Sequence, residues 1–183
     1  FNSSIKIEKN IMNLNFLNFQ KNLSSDLELT FGGKKNLISN EVSFNKILIK
    51  EDSNKFEFKN LILSEDRKIK SINKIELNYL DKDLIKNKIS VSKKDKDYDL
   101  FSQSLNATKL IDDLLKPTKK SNEIEIFHNN FKLNIKINKT YLNDSHTIND
   151  LDGYLSFNNN EIIKANLDAS FSKNEKIRFT IRS

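Results

Sequence analysis

The sequence predicts a mainly β protein, an antiparallel meander of about a dozen strands in one curved sheet, with one short amphipathic helix. Apolar and polar residues alternate along most of the 183 residues, which is the pattern of strands with one buried face. Hydrophobic residues make up only 37% of the chain, below the roughly 45–50% of compact domains. A sheet with a single apolar face is therefore favoured over one that is buried on both sides.

Residues 1–97 are predicted to be a segment of β-hairpins. The clearest alternation lies at Leu27–Phe31 and Ile75–Tyr79, and weaker runs lie at 5–7, 14–19, 42–49, 56–63 and 89–91. Turns are predicted at Gly32–Lys35 and Asp52–Asn54, because Gly, Asn, Asp and Ser tolerate turn backbone.

One segment has helical instead of strand periodicity. Leu110, Ile111, Leu114 and Leu115 recur at the spacing of one helix face, which predicts a short amphipathic helix over residues 107–116. Asn106 or Thr108 can cap its first turn, and Pro117 prevents its continuation.

Residues 98–183 contain this helix followed by more regular β-hairpins. Strong alternation occurs at residues 131–137, 151–157, 165–171 and 177–181, and a weaker run at 124–127. Because alternation continues through Gly153, this glycine is predicted to lie within a strand, at a bulge or a close backbone approach.

The residue types needed for catalysis are scarce. There is no Cys, and the two histidines, His128 and His146, fall at turn-like positions without further metal ligands at recognisable spacing. Phosphate-binding and nucleophile motifs are absent from the sequence. We therefore predict a protein that is not an enzyme, with no cofactor and no metal site.

The net charge of +6 raises the possibility of nucleic-acid binding, which requires cations clustered on one face. Lysines instead alternate with apolar residues within strands, as in Phe131–Ile137, and this pattern favours an ordinary solvated face. Most of the 13 Phe share the parity of neighbouring Ile and Leu, which favours a core or groove lining over base stacking. No nucleic-acid partner is expected.

Tyr98–Ser183 contains a recognisable series of motifs. An aromatic-led strand and helix, YDLFSQSLNATKLIDDLL, precede the hairpin sequences IEIFHNNFKLNIKI, INDLDGYLSFNNNEIIKANLDASF and IRFTI. Together with Gly153 and the small-residue strand Leu167–Phe171, this order resembles the C-terminal-type region of the AsmA-like family of bacterial envelope proteins. The chain begins at Phe1 and is expected to be a fragment of a longer protein.

The resemblance implies an open U-shaped groove with an apolar floor, part of a bridge-like protein that moves phospholipid across the periplasm between the inner and outer membranes. It also implies an inner-membrane anchor at an N-terminal region outside this fragment. The residues expected to line the groove and contact acyl chains are Leu133, Ile135, Ile137, Leu155, Phe157, Leu167, Phe171, Phe179 and Ile181. The alternatives are a structural or adhesion-type β-domain with a closed core and no ligand, and a nucleic-acid-binding β-domain.

Overall fold

The computed structural model describes residues 1–109, 130–143, 145–158, 161–171 and 175–182. A 3-10 turn lies at Asn15–Leu17. The strands of the described residues are β1 (Asn2–Ile7), β2 (Asn13–Leu14), β3 (Phe19–Gln20), β4 (Leu27–Lys35), β5 (Val42–Glu51), β6 (Asn54–Leu63), β7 (Ile69–Ser71), β8 (Lys74–Leu80), β9 (Lys86–Lys94), β10 (Asp97–Asn106), β11 (Phe131–Tyr141), β12 (Thr147–Asn158), β13 (Glu161–Ser170) and β14 (Lys176–Arg182). None of the described helical residues forms a segment that could span a membrane.

One open sheet of 12 strands dominates the molecule and confirms the mainly β prediction. Its order is β1-β4-β5-β6-β8-β9-β10-β11-β12-β13-β14, and β7 pairs with β6 beside this path. The small pair β2–β3 forms a separate sheet. The boundary predicted between residues 97 and 98 falls inside β10, and the sheet continues through it.

Neighbouring strands of the large sheet are antiparallel except β10 and β11, which run parallel. A parallel pair needs a crossover of a dozen residues or more, and the chain between Asn106 and Phe131 supplies it. The helix predicted over 107–116 falls in this crossover. Of this helix only residues 107–109 are described, and Thr108 and Lys109 are helical. The remainder of the predicted helix lies outside the described residues, as do the strand predicted at 124–127 and His128.

The strand register aligns apolar residues into rows that cross the sheet. Residues directly opposite each other share a face, so each such row lies on one side of the sheet. The middle row crosses eleven strands and consists of Ser3, Phe31, Ile47, Phe58, Ile75, Val91, Leu100, Ile135, Gly153, Leu167 and Phe179. At about 4.8 Å per strand, this row is about 48 Å long.

Glycines sit where backbones approach closely. The turn predicted at Gly32–Lys35 is wrong, because these residues belong to β4, at a register shift, and the turn follows them. A Cβ at Gly33 would lie 2.2 Å from the Ser43 carbonyl oxygen. Gly153 lies within β12 as predicted, with a φ of +145° and its Cβ position 2.0 Å from the Asn166 oxygen.

The strand predicted over residues 14–19 is also wrong. The chain there forms the 3-10 turn, followed by Asn18 in the left-handed conformation with a φ of 51°. Leu14, Leu17 and Phe19 therefore point towards the large sheet as a compact cluster instead of extending along a strand.

Candidate functional site: the apolar face of the sheet

The side of the sheet that carries the middle row is called the apolar face. Eight of the nine residues predicted to line a groove lie on it, and they are Leu133, Ile135, Ile137, Leu155, Phe157, Leu167, Phe179 and Ile181. The ninth, Phe171, lies just beyond the end of β13 and is 44% exposed. The register therefore brings together side chains from β11 to β14 that are up to about 50 residues apart in sequence.

Within β11–β14 the apolar face is unevenly covered. Ile137 is 3% exposed and Ala165 is buried, whereas Phe179 is 52% exposed and Leu133 and Leu167 are half-buried. These strands make their main described contacts with their neighbours in the sheet. Accessible apolar surface in this part is therefore provided by Phe179 and, in part, by Leu133 and Leu167, while Ile135, Ile137 and Ala165 are buried.

Aromatic rings border one side of this accessible region. Phe131 stacks on Phe157 with ring centroids 4.7 Å apart, and Tyr98 meets Phe131 edge-on at 5.4 Å. Burial raises the pKa of Tyr98 above its ordinary value, so its hydroxyl stays neutral. The rings extend the apolar surface past the middle row, towards the strand ends at Phe131 and Asn158.

In β5–β9 the same face is covered by the chain itself. Residues 8–26, named the covering segment, place the fully buried Phe19 against the sheet. Its ring lies 4.8 Å from Phe56 and 6.0 Å from Tyr79, both edge-on. Leu77 and Ile89 complete the buried cluster, which closes this end of the face, while Phe58, Ile75 and Val91 of the middle row pack against it and stay partly buried.

Buried polar groups fix the covering segment in place. Lys21 is fully buried, and its ammonium donates to the carbonyl oxygens of Glu8 (2.5 Å) and Asn22 (2.8 Å). The buried Glu51 carboxylate accepts the Asn22 backbone N–H at 2.8 Å and the Ser25 hydroxyl. The Glu51 contacts attach the covering segment to β5, because they join the segment to a strand of the sheet. Both acceptors of Lys21 belong to the covering segment, so these hydrogen bonds fix its own conformation.

The strand ends that lie beneath the covering segment are called the covered end. Polar side chains bound the apolar face there. Asn87 donates to the Asp81 carboxylate at 2.9 Å, and Asn106 donates to it at 2.8 Å. Burial, and secondarily the charge of Asp81, raises the pKa of the neighbouring Tyr79, which stays neutral. The apolar floor is thus bounded on this side.

The opposite side of the sheet is charged, and its first half is ion-paired. Glu57 is buried among Lys55, Lys46 and Lys59, whose ammonium groups lie 2.6, 3.1 and 3.6 Å from its carboxylate oxygens. The hydrogen bond from Lys55, reinforced by Lys46 and opposed by burial, lowers the pKa of Glu57 to about 2. The carboxylate is therefore ionised throughout the physiological range.

On β11–β14 the charged face carries a row without a carboxylate. Lys132, Ser156, Lys164 and Arg182 lie directly opposite one another, and among the described residues these three cations form no ion pair. This set is named the basic row. Lys132 and Lys164 also lie 4.3 and 5.8 Å from the ring centroid of Tyr154.

Sequence reasoning missed the covering segment and the basic row. Leu14, Leu17 and Phe19 signal the segment only weakly, because the same residues also fit an irregular strand. The cations of the basic row are far apart in sequence, and only the register aligns them. Two lysines and one arginine that lie far apart along the chain are therefore aligned by the fold.

Chemistry beyond these two faces is sparse in the described part of the chain. His146 is exposed in a turn, with Nδ1 2.9 Å from the Asn143 side-chain oxygen, and no group of three metal-ligating side chains occurs among the described residues. The accessible apolar floor is thus the main candidate site. Neither a protein-family model, nor a curated protein, nor a solved structure matches this chain.

Proposed function

We propose that the chain is a segment of a bridge-like lipid-transfer protein whose apolar face holds phospholipid acyl chains in the periplasm, between the inner and outer membranes. The observation that supports this proposal most directly is the middle row, which is apolar across eleven strands except at Ser3 and Gly153. Its length of about 48 Å is roughly twice that of one extended acyl chain, and the part on β11–β14 spans about 14 Å. Attachment to the inner membrane would come from a region outside this fragment.

The binding would be distributed along the floor. Each CH₂ group removed from water contributes about 0.8 kcal/mol, so an acyl chain lying along several residues is held without any single specific contact. Head groups would stay in water at the open side of the face. On β11–β14, outside the part that the covering segment closes, a lipid could then move between neighbouring strands over apolar surface.

The accessible half of the floor favours this function over a structural domain with a closed core. The covering segment does form such a core on β5–β9, and this observation supports the structural alternative there. A fully closed core would also cover Phe179 and Leu167, yet Phe179 is half-exposed and Leu167 is half-buried. The uncovered surface is the surface that an acyl chain would occupy.

The basic row supports a second candidate function, binding to a polyanion such as a nucleic acid. Its three cations lie within about 15 Å along the row, and Tyr154 lies beside them. Contacts with phosphates are steeply salt-dependent. Oligonucleotide binding that weakens steeply with added salt and is lost in K132Q/K164Q/R182Q would support this candidate, and absent binding would remove it.

Native mass spectrometry after incubation with phospholipid tests lipid binding. We expect the delipidated protein to retain phospholipid, and L167Q/F179Q to retain several-fold less, because both substitutions make the accessible floor polar. The matched control is N166Q/T180Q, which alters the adjoining positions on the opposite face of the same strands. Absence of phospholipid from the unaltered protein, or equal loss in both variants, would overturn the proposed function.

A further inference from the structure

The hairpin that joins β4 and β5 ends in two aliphatic side chains with almost no cover. Leu37 is 83% exposed and Ile38 is 97% exposed. Turns of this kind usually carry Gly, Asn, Asp or Ser, and large apolar residues here raise the free energy of the protein in water. The pair, named the apolar tip, is the most exposed large apolar surface of the described residues.

The apolar tip is a defined turn. The Asn36 side-chain oxygen accepts the backbone N–H groups of Ile38 at 2.9 Å and Ser39 at 3.3 Å, and the Asn36 N–H donates to the Glu41 carbonyl at 2.8 Å. Asn40 donates to Glu65 in the neighbouring turn at 2.9 Å. The exposed side chains are thus held outwards by hydrogen-bonded backbone.

The tip lies at the strand ends opposite the covered end. In β4 and β5, Leu27 pairs with Glu51 at the covered end, and Lys35 pairs with Val42 next to the tip. Aromatic rings lead from the tip side towards the middle row, since Phe44 lies 6.2 Å from Phe31. The apolar tip therefore marks the end of the sheet where the covering segment does not close the floor.

Two cations precede the apolar tip at the end of β4. Lys34 and Lys35 are exposed at the end of β4 and have no ion-pair partner among the described residues. Of the nearby carboxylates, Glu41 pairs with Lys70 and Asp66 with Lys68, while Glu65 accepts a hydrogen bond from the Asn40 amide. Aliphatic side chains with adjacent lysines are typical of segments that enter the interface of an anionic bilayer, where lysine ammonium groups reach the phosphates.

We propose that the apolar tip inserts Leu37 and Ile38 into the interfacial region of an anionic phospholipid bilayer, with Lys34 and Lys35 at the headgroup phosphates. A protein partner fits less well, because specific protein interfaces bury about 800 Å² on each side and the tip is a narrow hairpin end. Insertion would bring the ends of β4 and β5 that lie opposite the covered end to a membrane. In that respect the proposal deepens the proposed lipid transfer, although insertion itself does not require the floor to bind lipid.

A single tryptophan reports on the insertion directly, because the chain contains no Trp. In I38W the indole would be the sole tryptophan, and we expect its emission to shift to shorter wavelength on mixing with vesicles of phosphatidylcholine and phosphatidylglycerol. The matched control is L84W. Leu84 is 76% exposed in the β8–β9 turn at the covered end, so its emission should not change.

Substitutions of the tip should weaken vesicle binding without altering the fold. We expect L37S/I38S to lower the vesicle partition coefficient about 10- to 100-fold, because two aliphatic side chains no longer enter the bilayer. K34Q/K35Q should weaken binding to vesicles that contain phosphatidylglycerol but not to pure phosphatidylcholine. Far-ultraviolet circular dichroism should be unchanged in both variants.

Three results would overturn the insertion. They are an unshifted I38W emission with vesicles, an equal shift in L84W, and a concentration-dependent shift without vesicles, which would indicate a second copy of this chain as the partner. Loss of phospholipid retention in the native mass spectra, with the I38W shift intact, would instead remove only the proposed function. The two proposals can therefore fail separately.

Discussion

Two parts of one apolar face, on β5–β9 and on β11–β14, differ in what lies over them. On β5–β9 the covering segment buries Phe56 and Leu77 beneath Phe19. On β11–β14 the same alternation leaves Phe179 half-exposed. Alternation therefore specifies a face, but it does not specify whether that face becomes a core or a surface.

The charged side of the sheet shows a parallel difference. Glu57 neutralises lysines on β5 and β6, whereas the basic row on β11–β14 has no carboxylate among its members. The first half is thus closed on one side and internally paired on the other. The second half offers an apolar floor and the basic row, beside the Arg178–Asp168 ion pair at 2.7 Å, and it is there that acyl chains would bind under the proposed function.

The largest effect should separate the two parts directly. F19A removes a fully buried ring and should lower the free energy of unfolding by about 3–5 kcal/mol. F179A removes a half-exposed ring and should cost less than about 1 kcal/mol. Denaturant-induced unfolding measures both, and equal losses would show that the β11–β14 face is as closed as that of β5–β9.

The second effect concerns the middle row where it crosses β12. G153A should lower the free energy of unfolding by about 2–3 kcal/mol, because the new Cβ meets the Asn166 carbonyl oxygen and the positive φ is strained for alanine. G32A is the control, since its Cβ would come closest to the end of the Asn2 side chain, at 2.3 Å, which can rotate away, and to backbone only at 3.7 Å. A smaller loss for G153A than for G32A would contradict the close approach of β12 and β13.

A third effect tests the paired cluster through pH. Since folding lowers the pKa of Glu57 from 4.5 to about 2, its stabilising contribution is present above pH 4.5 and is lost as the pH falls through about 2. Because the lysines are half-exposed, we expect E57Q to cost only about 1–2 kcal/mol at neutral pH. Unfolding curves of both proteins should converge at the acid end, and a pH-independent difference would contradict the pairing.

The smallest effect is expected for the basic row. K164Q should change the free energy of unfolding by less than about 0.5 kcal/mol, because Lys164 is exposed and forms no ion pair among the described residues. K55Q is the matched control in the paired cluster and should be clearly destabilising. A comparable loss in the two variants would show that Lys164 makes a stabilising interaction. The charged side would then be stabilised by its lysines in both halves of the sheet.

The predicted groove lining shows how far the sequence reaches. Leu133, Leu155 and Ile181 share a face because strand side chains alternate with a period of two, and this could be read from the sequence. Phe171 has the parity of Ala169, but β13 ends at Ser170, so Phe171 is not part of the paired sheet and does not lie on its apolar face. Strand ends depend on where pairing stops, which local pattern does not define.

The sequence by itself determined the mainly β class, the position of Gly153 within a strand and the separation of an apolar from a charged face, because these follow from local periodicity and backbone sterics. Only the tertiary structure decided the parallel pairing of β10 with β11, the alignment of Lys132, Lys164 and Arg182 and the docking of the covering segment. These features depend on contacts between residues distant in the chain. The free energy that stabilises them comes from strand pairing and from burial of side chains, and both are defined only when the whole sheet has formed.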